Sequence, residues 1–455
     1  NKPLAKKRRN VVLRQMVRNQ VISESQWKAA KTAEVDLTPR KERLQKASYF
    51  VAHTTRMLEK ELGERALYKE GLSIFTTLDY DMQKAAESAV VRGLDDLAAR
   101  MARRGLSDAS PQAALVCLDV KRGSILALVG GRNYERSPFD RATMALRQPG
   151  SAFKPLVYAL AVEKGFSQNH ILWDAPVAYK GAVKGKDWTP TNFSGKFMGE
   201  ITLRTAMALS KNIPAVRLLN KLGPASAVDF AHKMGITPPL APNLSLVLGT
   251  SEVTLLELTA AYTIFPRGGV WVKPYGVTEV LDRQERNVWR QTPVKQPVMS
   301  PETAAVMTDL LAAVIREGTG RKALSLDRPL AGKTGTTDQF RDALFVGFSP
   351  TLALGVWVGL DDHDTLGRNE TGAQAALPIW IDFMAQVLPG LPYKEFTLPA
   401  GVVKVQMDAA SGLLAAPDCP HAVPAVFRKG NEPSNYCKHR TNGPWTSFRS
   451  SPLSP

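Results

Sequence analysis

The sequence predicts an α+β fold in which one antiparallel sheet, built from both ends of a domain, is covered by helices. Two groups of apolar, strand-like runs are separated by a long, mainly helical middle that extends from about residue 151 to 318. The runs are 114–120 and 124–129, joined by Lys121-Arg122-Gly123, and later 329–334, 343–348 and 352–358. A single sheet that gathers strands from the two termini explains this order most economically.

The chain has 455 residues, which is more than one hydrophobic core usually organises. We predict four regions: a helical segment at 1–45, a linker at 46–110, the main domain at 111–390 and a structure-poor tail at 391–455. Within the first, Ser23-x-x-Gln26 predicts a capping box that opens a short helix. Within the linker, 72–78 is strand-like, and a last amphipathic helix at 373–388 closes the main domain.

The net charge of +17 predicts an anionic environment, such as a membrane surface or an acidic polymer. Seven basic residues precede the first acid, Glu24, and a helical apolar pattern accompanies them, so a basic amphipathic helix and a plain solvated basic face both remain open. The first twenty residues contain no aromatic residue, and we therefore expect no nucleic-acid partner.

We expect no membrane span in the chain. Its start at Asn1 indicates a processed chain or an excised fragment.

Three cysteines are present. Cys117 lies in an apolar run and is predicted to be a core residue. Cys419 and Cys437 form a candidate disulfide if the protein is exported, but two unbonded thiols remain an open alternative.

The six histidines show no metal-ligand spacing. For Asp361-Asp362-His363-Asp364 we prefer an acidic turn after a strand to a metal site. We therefore expect no metal and no cofactor.

Ser151 and Lys154 form the first candidate catalytic pair. Ser151 follows Pro149-Gly150 and begins a helix with an apolar face, which places Lys154 one turn along on the same side. The amine can act as the base for the hydroxyl, and the helix N-terminus favours developing negative charge. A simple serine N-cap would leave the same pattern, so this motif alone is weak.

Ser210-Lys211-Asn212 is predicted to lie at a corner between two helices. There Ser210 can relay a proton, and Asn212 can hold Lys154 or a substrate amide by hydrogen bonds. By itself, a capping turn explains the triplet better.

Gly332-Lys333-Thr334-Gly335-Thr336-Thr337 continues the predicted strand at 329–334. Such a strand lets an extended peptide lie alongside it, and Lys333 with the hydroxyls of Thr334, Thr336 and Thr337 can bind a carboxylate. A phosphate loop would need glycine at position 327, where Asp327 stands. Ser-x-x-Lys, Ser-x-Asn and Lys-Thr-Gly in this order form the set expected of penicillin-binding proteins and serine β-lactamases.

Longer runs resemble the class A penicillin-binding proteins, which are bifunctional peptidoglycan synthases. They are RQPGSAFKP at 147–155, WTPTN at 188–192, LGTSEVT at 248–254, EGTGR at 317–321 and AGKTGTT at 331–337. The likeness spans roughly residues 46–440. It implies the transpeptidase fold of penicillin-binding proteins and β-lactamases, with a helical N-terminal remnant and a linker.

The resemblance also implies the reaction. Ser151, assisted by Lys154, would attack a peptidoglycan stem peptide that ends in D-Ala-D-Ala, and Ser210 would relay the proton to the leaving D-Ala. The N–H groups of Ser151 and Thr336 would form the oxyanion hole, Asn212 would orient the donor amide, and Lys333 with its hydroxyl neighbours would receive the carboxylate. β-Lactams would acylate Ser151.

Arg8-Arg9-x-x-Val12-Leu13-x-x-Met16 resembles the closing segment of the family's glycosyltransferase domain. We therefore interpret 1–45 as the end of such a domain. The acidic motifs of glycan polymerisation are not in this chain, which should not polymerise glycan even if its parent protein does. The resemblance places the parent at the periplasmic, or extracytoplasmic, face of the cytoplasmic membrane, held there by a preceding anchor.

Two other functions share the three motifs. A class A β-lactamase needs Glu-x-x-Leu-Asn after Ser-x-Asn, and the nearest string, Glu252-Val-Thr-Leu-Leu256, lacks the asparagine. A non-catalytic β-lactam sensor would keep every acylation motif, so only a cross-linking assay separates it from a transpeptidase.

Overall fold

The computed structural model describes residues 2–34, 46–106, 108–180 and 187–438. The chain divides into two compact units, Asn1–Lys46 and Ala47–Pro455. Among the described residues, none of the helices combines the length and the apolar character that a bilayer crossing requires.

Twelve α-helices occur in the described ranges. They are α1 (Lys2–Arg18), α2 (Glu24–Thr32), α3 (Ser48–Leu62), α4 (Glu64–Lys69), α5 (Tyr80–Ala102), α6 (Lys154–Glu163), α7 (Leu203–Ala208), α8 (Asn212–Leu222), α9 (Pro224–Lys233), α10 (Leu255–Tyr262), α11 (Pro301–Arg316) and α12 (Leu377–Val387). A 3-10 turn, Gly150–Phe153, leads into α6, and a π-helical turn, Gly372–Ala376, leads into α12.

Sixteen strands occur in the same ranges. They are β1 (Ser73–Thr76), β2 (Gln112–Asp119), β3 (Ile125–Val129), β4 (Ile171–Asp174), β5 (Tyr179–Lys180), β6 (Asp187–Trp188), β7 (Gly199–Thr202), β8 (Val270–Val272), β9 (Val277–Leu281), β10 (Asn287–Arg290), β11 (Lys295–Pro297), β12 (Ala331–Thr336), β13 (Asp342–Phe348), β14 (Leu352–Gly359), β15 (Val402–Asp408) and β16 (Ala422–Arg428).

In the N-terminal unit, α1 and α2 confirm the predicted helices. The Ser23 side chain accepts a hydrogen bond from the Gln26 backbone N–H, and the Gln26 side chain accepts one from the Ser23 N–H, so the predicted capping box is present. Residues 35–45 of the predicted helical segment lie outside the described ranges.

The central sheet has the strand order β12-β13-β14-β2-β3, and every neighbouring pair is antiparallel. Its strands come from both ends of the main domain, which confirms the α+β prediction. Alternate residues of β2 face opposite sides: Ala114 and Val116 belong to a core with α6, α10 and α11, whereas Leu115 and Cys117 belong to a core with α5 and α12. Helices therefore cover both faces of the sheet, and β12 forms one of its edges.

Two parts of the sequence prediction need correction. The mainly helical middle also contains β4 to β11, which are short strands of two to five residues. The tail predicted to be structure-poor contains the β15–β16 hairpin, which has a small core of its own around Met407, Ala425 and Phe427. Pro424 fits there because β16 belongs to a two-stranded ribbon, in which a missing N–H donor is tolerated at an edge.

A buried ionic cluster joins this hairpin to the helical layer. The Asp309 Oδ2 atom, on α11, accepts hydrogen bonds from the Val426 N–H at 3.0 Å, from Arg204 at 2.9 Å and from Gln168 at 2.8 Å. The Gln168 amide also donates to the Val426 carbonyl at 2.7 Å, and Arg316 donates to the Asp309 Oδ1 atom at 2.6 Å. Burial opposes the ionisation of Asp309, yet Arg204 and Arg316 hold its pKa below the ordinary value.

We expect Asp309→Ala to lower the free energy of unfolding by about 3 to 5 kcal/mol, because it leaves the buried Arg204 guanidinium without one of its anions. Denaturant titration of the purified chain measures the change. Glu279→Gln, which breaks the more exposed pair with Arg290, is the matched control and should cost no more than about 1 kcal/mol. Equal losses of unfolding free energy in the two variants would show that the buried cluster stabilises the fold no more than the exposed ion pair does.

Candidate active site

Ser151 lies in the 3-10 turn that precedes α6, and this turn packs directly against β12. Gly150 has φ +55°, and a Cβ atom there would lie 2.5 Å from the Thr336 carbonyl oxygen. A Cβ atom on Gly335 would likewise lie 2.3 Å from the Pro149 carbonyl oxygen. Only glycine allows the two backbones to approach this closely, and Ser151 is therefore held beside the Lys-Thr-Gly strand with its side chain partly exposed.

Lys154 is fully buried at the start of α6. Its Nζ atom donates to the Ser210 carbonyl and to the Asn212 Oδ1 atom, both at 2.7 Å. Burial, and secondarily the charge of Lys333, lower the pKa of Lys154 well below its usual range. A neutral amine has two N–H donors, and these two bonds use both, so the lone pair is left to accept a proton.

Ser210 connects Lys154 to Lys333. It lies between α7 and α8 with φ +57°, a left-handed conformation that is uncommon for a residue with a Cβ atom. Its carbonyl accepts from Lys154, while its hydroxyl accepts from the Lys333 Nζ atom at 2.7 Å and lies 3.4 Å from the Lys154 Nζ atom. One residue thus contacts both amines, as a proton relay requires.

The Asn212 side chain holds Lys154 in place. Its Oδ1 atom accepts from Lys154, and its Nδ2 atom donates to the Thr191 carbonyl at 2.9 Å. The Asn212 backbone N–H donates to the Asn192 Oδ1 atom at 2.9 Å, and Asn192 in turn donates to Asp174. Of the two roles predicted for Asn212, the structure shows the contact with Lys154.

Lys333 is also fully buried, and burial lowers its pKa to about 7. Besides Ser210, its Nζ atom contacts the Thr334 carbonyl at 3.1 Å. The Thr336 hydroxyl accepts from the Gly372 N–H at 3.0 Å. The Thr337 hydroxyl instead accepts from the Asp342 N–H at 2.9 Å, so it lies in a turn outside the lysine cluster.

The structure reveals positioning residues to which the sequence assigned no role. The Thr319 hydroxyl is 2.7 Å from the Thr334 hydroxyl, and the Thr319 N–H donates to the Ala208 carbonyl at the end of α7. A Cβ atom on Gly318 would lie 1.9 Å from that same carbonyl. In the sequence, the run EGTGR at 317–321 could have indicated these residues. Its contacts show that it joins the segment around Ser210 to β12.

The acidic turn after β14 takes part in ion pairing. Asp361 pairs with Arg141 at 2.5 Å, and His363 contacts Arg147 at 3.1 Å. Within the described ranges, these residues do not belong to a cluster with metal-ligand geometry.

Comparison with known proteins identifies the family of the chain. The family profile of the penicillin binding protein transpeptidase domain matches residues 113–379, and that of the penicillin-binding protein 1A C-terminal domain matches residues 398–441. The chain is 36% identical to penicillin-binding protein 1A of Aquifex aeolicus, covering 95% of this chain and 69% of the relative. It is 33% identical to penicillin-binding protein 2D of Bacillus subtilis, covering 96% of this chain and 63% of the relative.

Solved structures show the same fold. The crystal structure of penicillin-binding protein 1A from Haemophilus influenzae superposes with a TM-score of 0.82 at 25% identity, covering 95% of this chain and 83% of the other. PonA1 from Mycobacterium tuberculosis in complex with penicillin V gives a TM-score of 0.67 at 26% identity, covering 78% of this chain and 96% of the other. From its matched domains and its relatives, the chain belongs to the class A penicillin-binding proteins and carries their transpeptidase domain.

Proposed function

We propose that this chain cross-links peptidoglycan stem peptides, with Ser151 as the nucleophile of a D,D-transpeptidase. The observation that carries the proposal is the pair of buried amines, Lys154 and Lys333, which meet at Ser210 beside the Ser151 turn. One amine with a depressed pKa can remove a proton at neutral pH, while the second can carry the charge that a substrate carboxylate needs.

In the first step Lys154 accepts the Ser151 hydroxyl proton as the oxygen attacks the carbonyl of the penultimate D-Ala. The peptide bond to the terminal D-Ala breaks, and the departing amine takes a proton by way of Ser210, which contacts both lysines. An amine of a neighbouring stem peptide then attacks the ester, which releases Ser151 and forms the cross-link. Protons balance within each half: the proton taken from Ser151 passes to the departing D-Ala amine, and the proton that the acceptor amine loses in the second half returns to the Ser151 oxygen.

Binding of the donor peptide follows from the place of β12. This strand is at the edge of the sheet, so an extended peptide can add beside it. Lys333 with the hydroxyls of Thr334 and Thr336 would receive the terminal carboxylate, and the N–H groups of Ser151 and Thr336 would stabilise the oxyanion. Gly335 allows the close approach of the Ser151 turn, and Thr337 supports the strand end rather than the carboxylate.

We further propose that the parent protein acts in the cell envelope, at the outer face of the cytoplasmic membrane. Its relatives are penicillin-binding proteins, and this chain spans between 38% and 69% of the lengths of those compared. We assign 1–45 to the end of a glycosyltransferase domain, 46–110 to a linker, 111–390 to the transpeptidase domain and 391–455 to a C-terminal segment. The described part of that last segment, up to residue 438, includes the β15–β16 hairpin.

We expect Ser151→Ala to form no covalent adduct with a penicillin, because Ser151 supplies the hydroxyl of the turn that leads directly into Lys154 and α6. Mass spectrometry of the intact chain measures the adduct. Ser325→Ala, which removes an exposed hydroxyl elsewhere, is the control and should be acylated like the unmodified chain. An adduct of undiminished yield in Ser151→Ala would assign the nucleophile elsewhere.

The acyl-enzyme formed with a penicillin should persist for many minutes. Within the described residues, no carboxylate is among the hydrogen-bond partners of Lys154, Lys333, Ser210 or Asn212, so the group that would activate water in a β-lactamase is not at this cluster. A chase with unlabelled drug after labelling measures deacylation. Rapid release of hydrolysed penicillin would instead indicate that the chain acts as a β-lactamase.

The ratio of the acylation rate constant to the dissociation constant of the drug should show a bell-shaped dependence on pH. It rises as Lys154 loses its proton, and it falls above about pH 7 as Lys333 loses the charge that binds the drug's carboxylate. Stopped-flow measurements with a penicillin test this. The methyl ester of the same drug should lack the descending limb, and a rate for the parent drug that climbs without a maximum to pH 10 would contradict the assignment of Lys333.

A further inference from the structure

Three side chains that are suited to metal binding converge in the C-terminal segment. Asp408 ends β15, Cys419 lies in the loop between β15 and β16, and Cys437 follows β16. One ligand atom from each, a carboxylate oxygen and two sulfurs, lies within 4.8 Å of the others. Asp408 and Cys437 are buried, and Cys419 is half-buried. No metal-ligand spacing is visible in the sequence, because the hairpin brings together residues that are far apart in the chain.

Backbone N–H groups contact both sulfurs. The Ala416 N–H donates to the Cys437 Sγ atom at 3.3 Å, and the backbone of His421 donates a hydrogen bond to Cys419. Such bonds favour the deprotonated sulfur and are the kind of outer contact that orients metal ligands. The loop is itself fixed, because the Ala409 N–H donates to the His421 carbonyl and the Cys437 N–H to the Leu414 carbonyl.

Charge at this cluster favours a cation. A zinc-bound sulfur is a thiolate and the Asp408 side chain is a carboxylate, so with an ion bound all three ligand atoms would be anionic within 4.8 Å of one another. A divalent ion removes the repulsion among such groups.

The sulfurs are not joined by a disulfide in the structure. A disulfide needs an S–S distance of about 2.05 Å. Two Zn–S bonds of about 2.3 Å at a tetrahedral zinc ion would instead hold the two sulfurs about 3.8 Å apart. This separation is within the 4.8 Å that bounds the distances among the three ligand atoms.

We propose that Asp408, Cys419 and Cys437 bind one zinc ion, with water as the fourth ligand. Two sulfurs and one carboxylate oxygen are a donor set that suits zinc better than the hard cations magnesium or calcium. Binding releases the two thiol protons as the two Zn–S bonds form. The ion would take the place of the candidate disulfide between Cys419 and Cys437, and it would tie the loop after β15 to the segment after β16.

The site borders the catalytic layer. The carbonyl of Ala409, next to Asp408, is 3.4 Å from the Thr202 hydroxyl and 3.3 Å from the Thr205 hydroxyl. Thr202 caps the N-terminus of α7 and Thr205 lies in its first turn, and this helix ends just before Ser210. The ion would therefore stabilise the segment that supports this end of α7.

The test is elemental analysis of the full chain, purified without chelator or reductant, alongside a thiol count in denaturant with EDTA. We expect about one zinc per chain and three reactive thiols, and less than about a tenth of a zinc in the variant Cys419→Ser/Cys437→Ser. Cys117→Ala, which removes the cysteine in the central sheet, is the matched control and should retain zinc. Labelling with fluorescent penicillin shows independently that each variant is folded.

Two results would overturn the proposal. One reactive thiol and no zinc would mean that Cys419 and Cys437 form a disulfide. Three reactive thiols and no zinc, even after dialysis against zinc chloride, would mean that the cluster does not bind the ion. Neither result bears on acylation of Ser151, so failure of the metal site and failure of the proposed reaction are distinguishable.

Discussion

The candidate active site depends on the burial of two amines against a single serine. Lys154 and Lys333 both contact Ser210, and both are removed from solvent. Two positive charges this close, in a medium of low dielectric, repel each other and are costly to desolvate, so the site favours a state in which only one amine is charged. In the proposed reaction this constraint separates the two roles: Lys154 would act as the base, and Lys333 would carry the charge for the carboxylate.

The surrounding fold maintains this short separation at three places. Gly150 and Gly335 let the Ser151 turn touch β12, and Gly318 lets the loop after α11 touch the end of α7. At the third place Ser210 is held in a left-handed conformation, which directs its carbonyl and its hydroxyl to different lysines. Backbone strain of this kind persists only where surrounding contacts fix it. The hydrogen bonds of Asn212 and Thr319 on either side provide such contacts.

The residues of the candidate site could be proposed from the sequence because their spacing is local. Ser151 and Lys154 are one helical turn apart, and Lys333 lies in a continuous strand, so each motif is readable without the fold. Arg204, Asp309 and Thr319 could not be assigned in this way, since each acts through partners more than ten residues away. The β15–β16 hairpin was missed for a related reason: its core is small and local, and the prolines of the segment resemble those of a loop.

The C-terminal hairpin is best regarded as part of the site's support rather than as an appendage. Val426 contacts Asp309, Asp309 contacts Arg204, and Arg204 lies on α7, only six residues before Ser210. Arg204 also pairs with Glu317, which begins the run that reaches Thr334 through Thr319. A displacement of the hairpin would therefore alter the positions of both α7 and β12. Since Ser210 closely follows α7 and Lys333 lies in β12, the distance between the amines depends on a cluster far from the nucleophile.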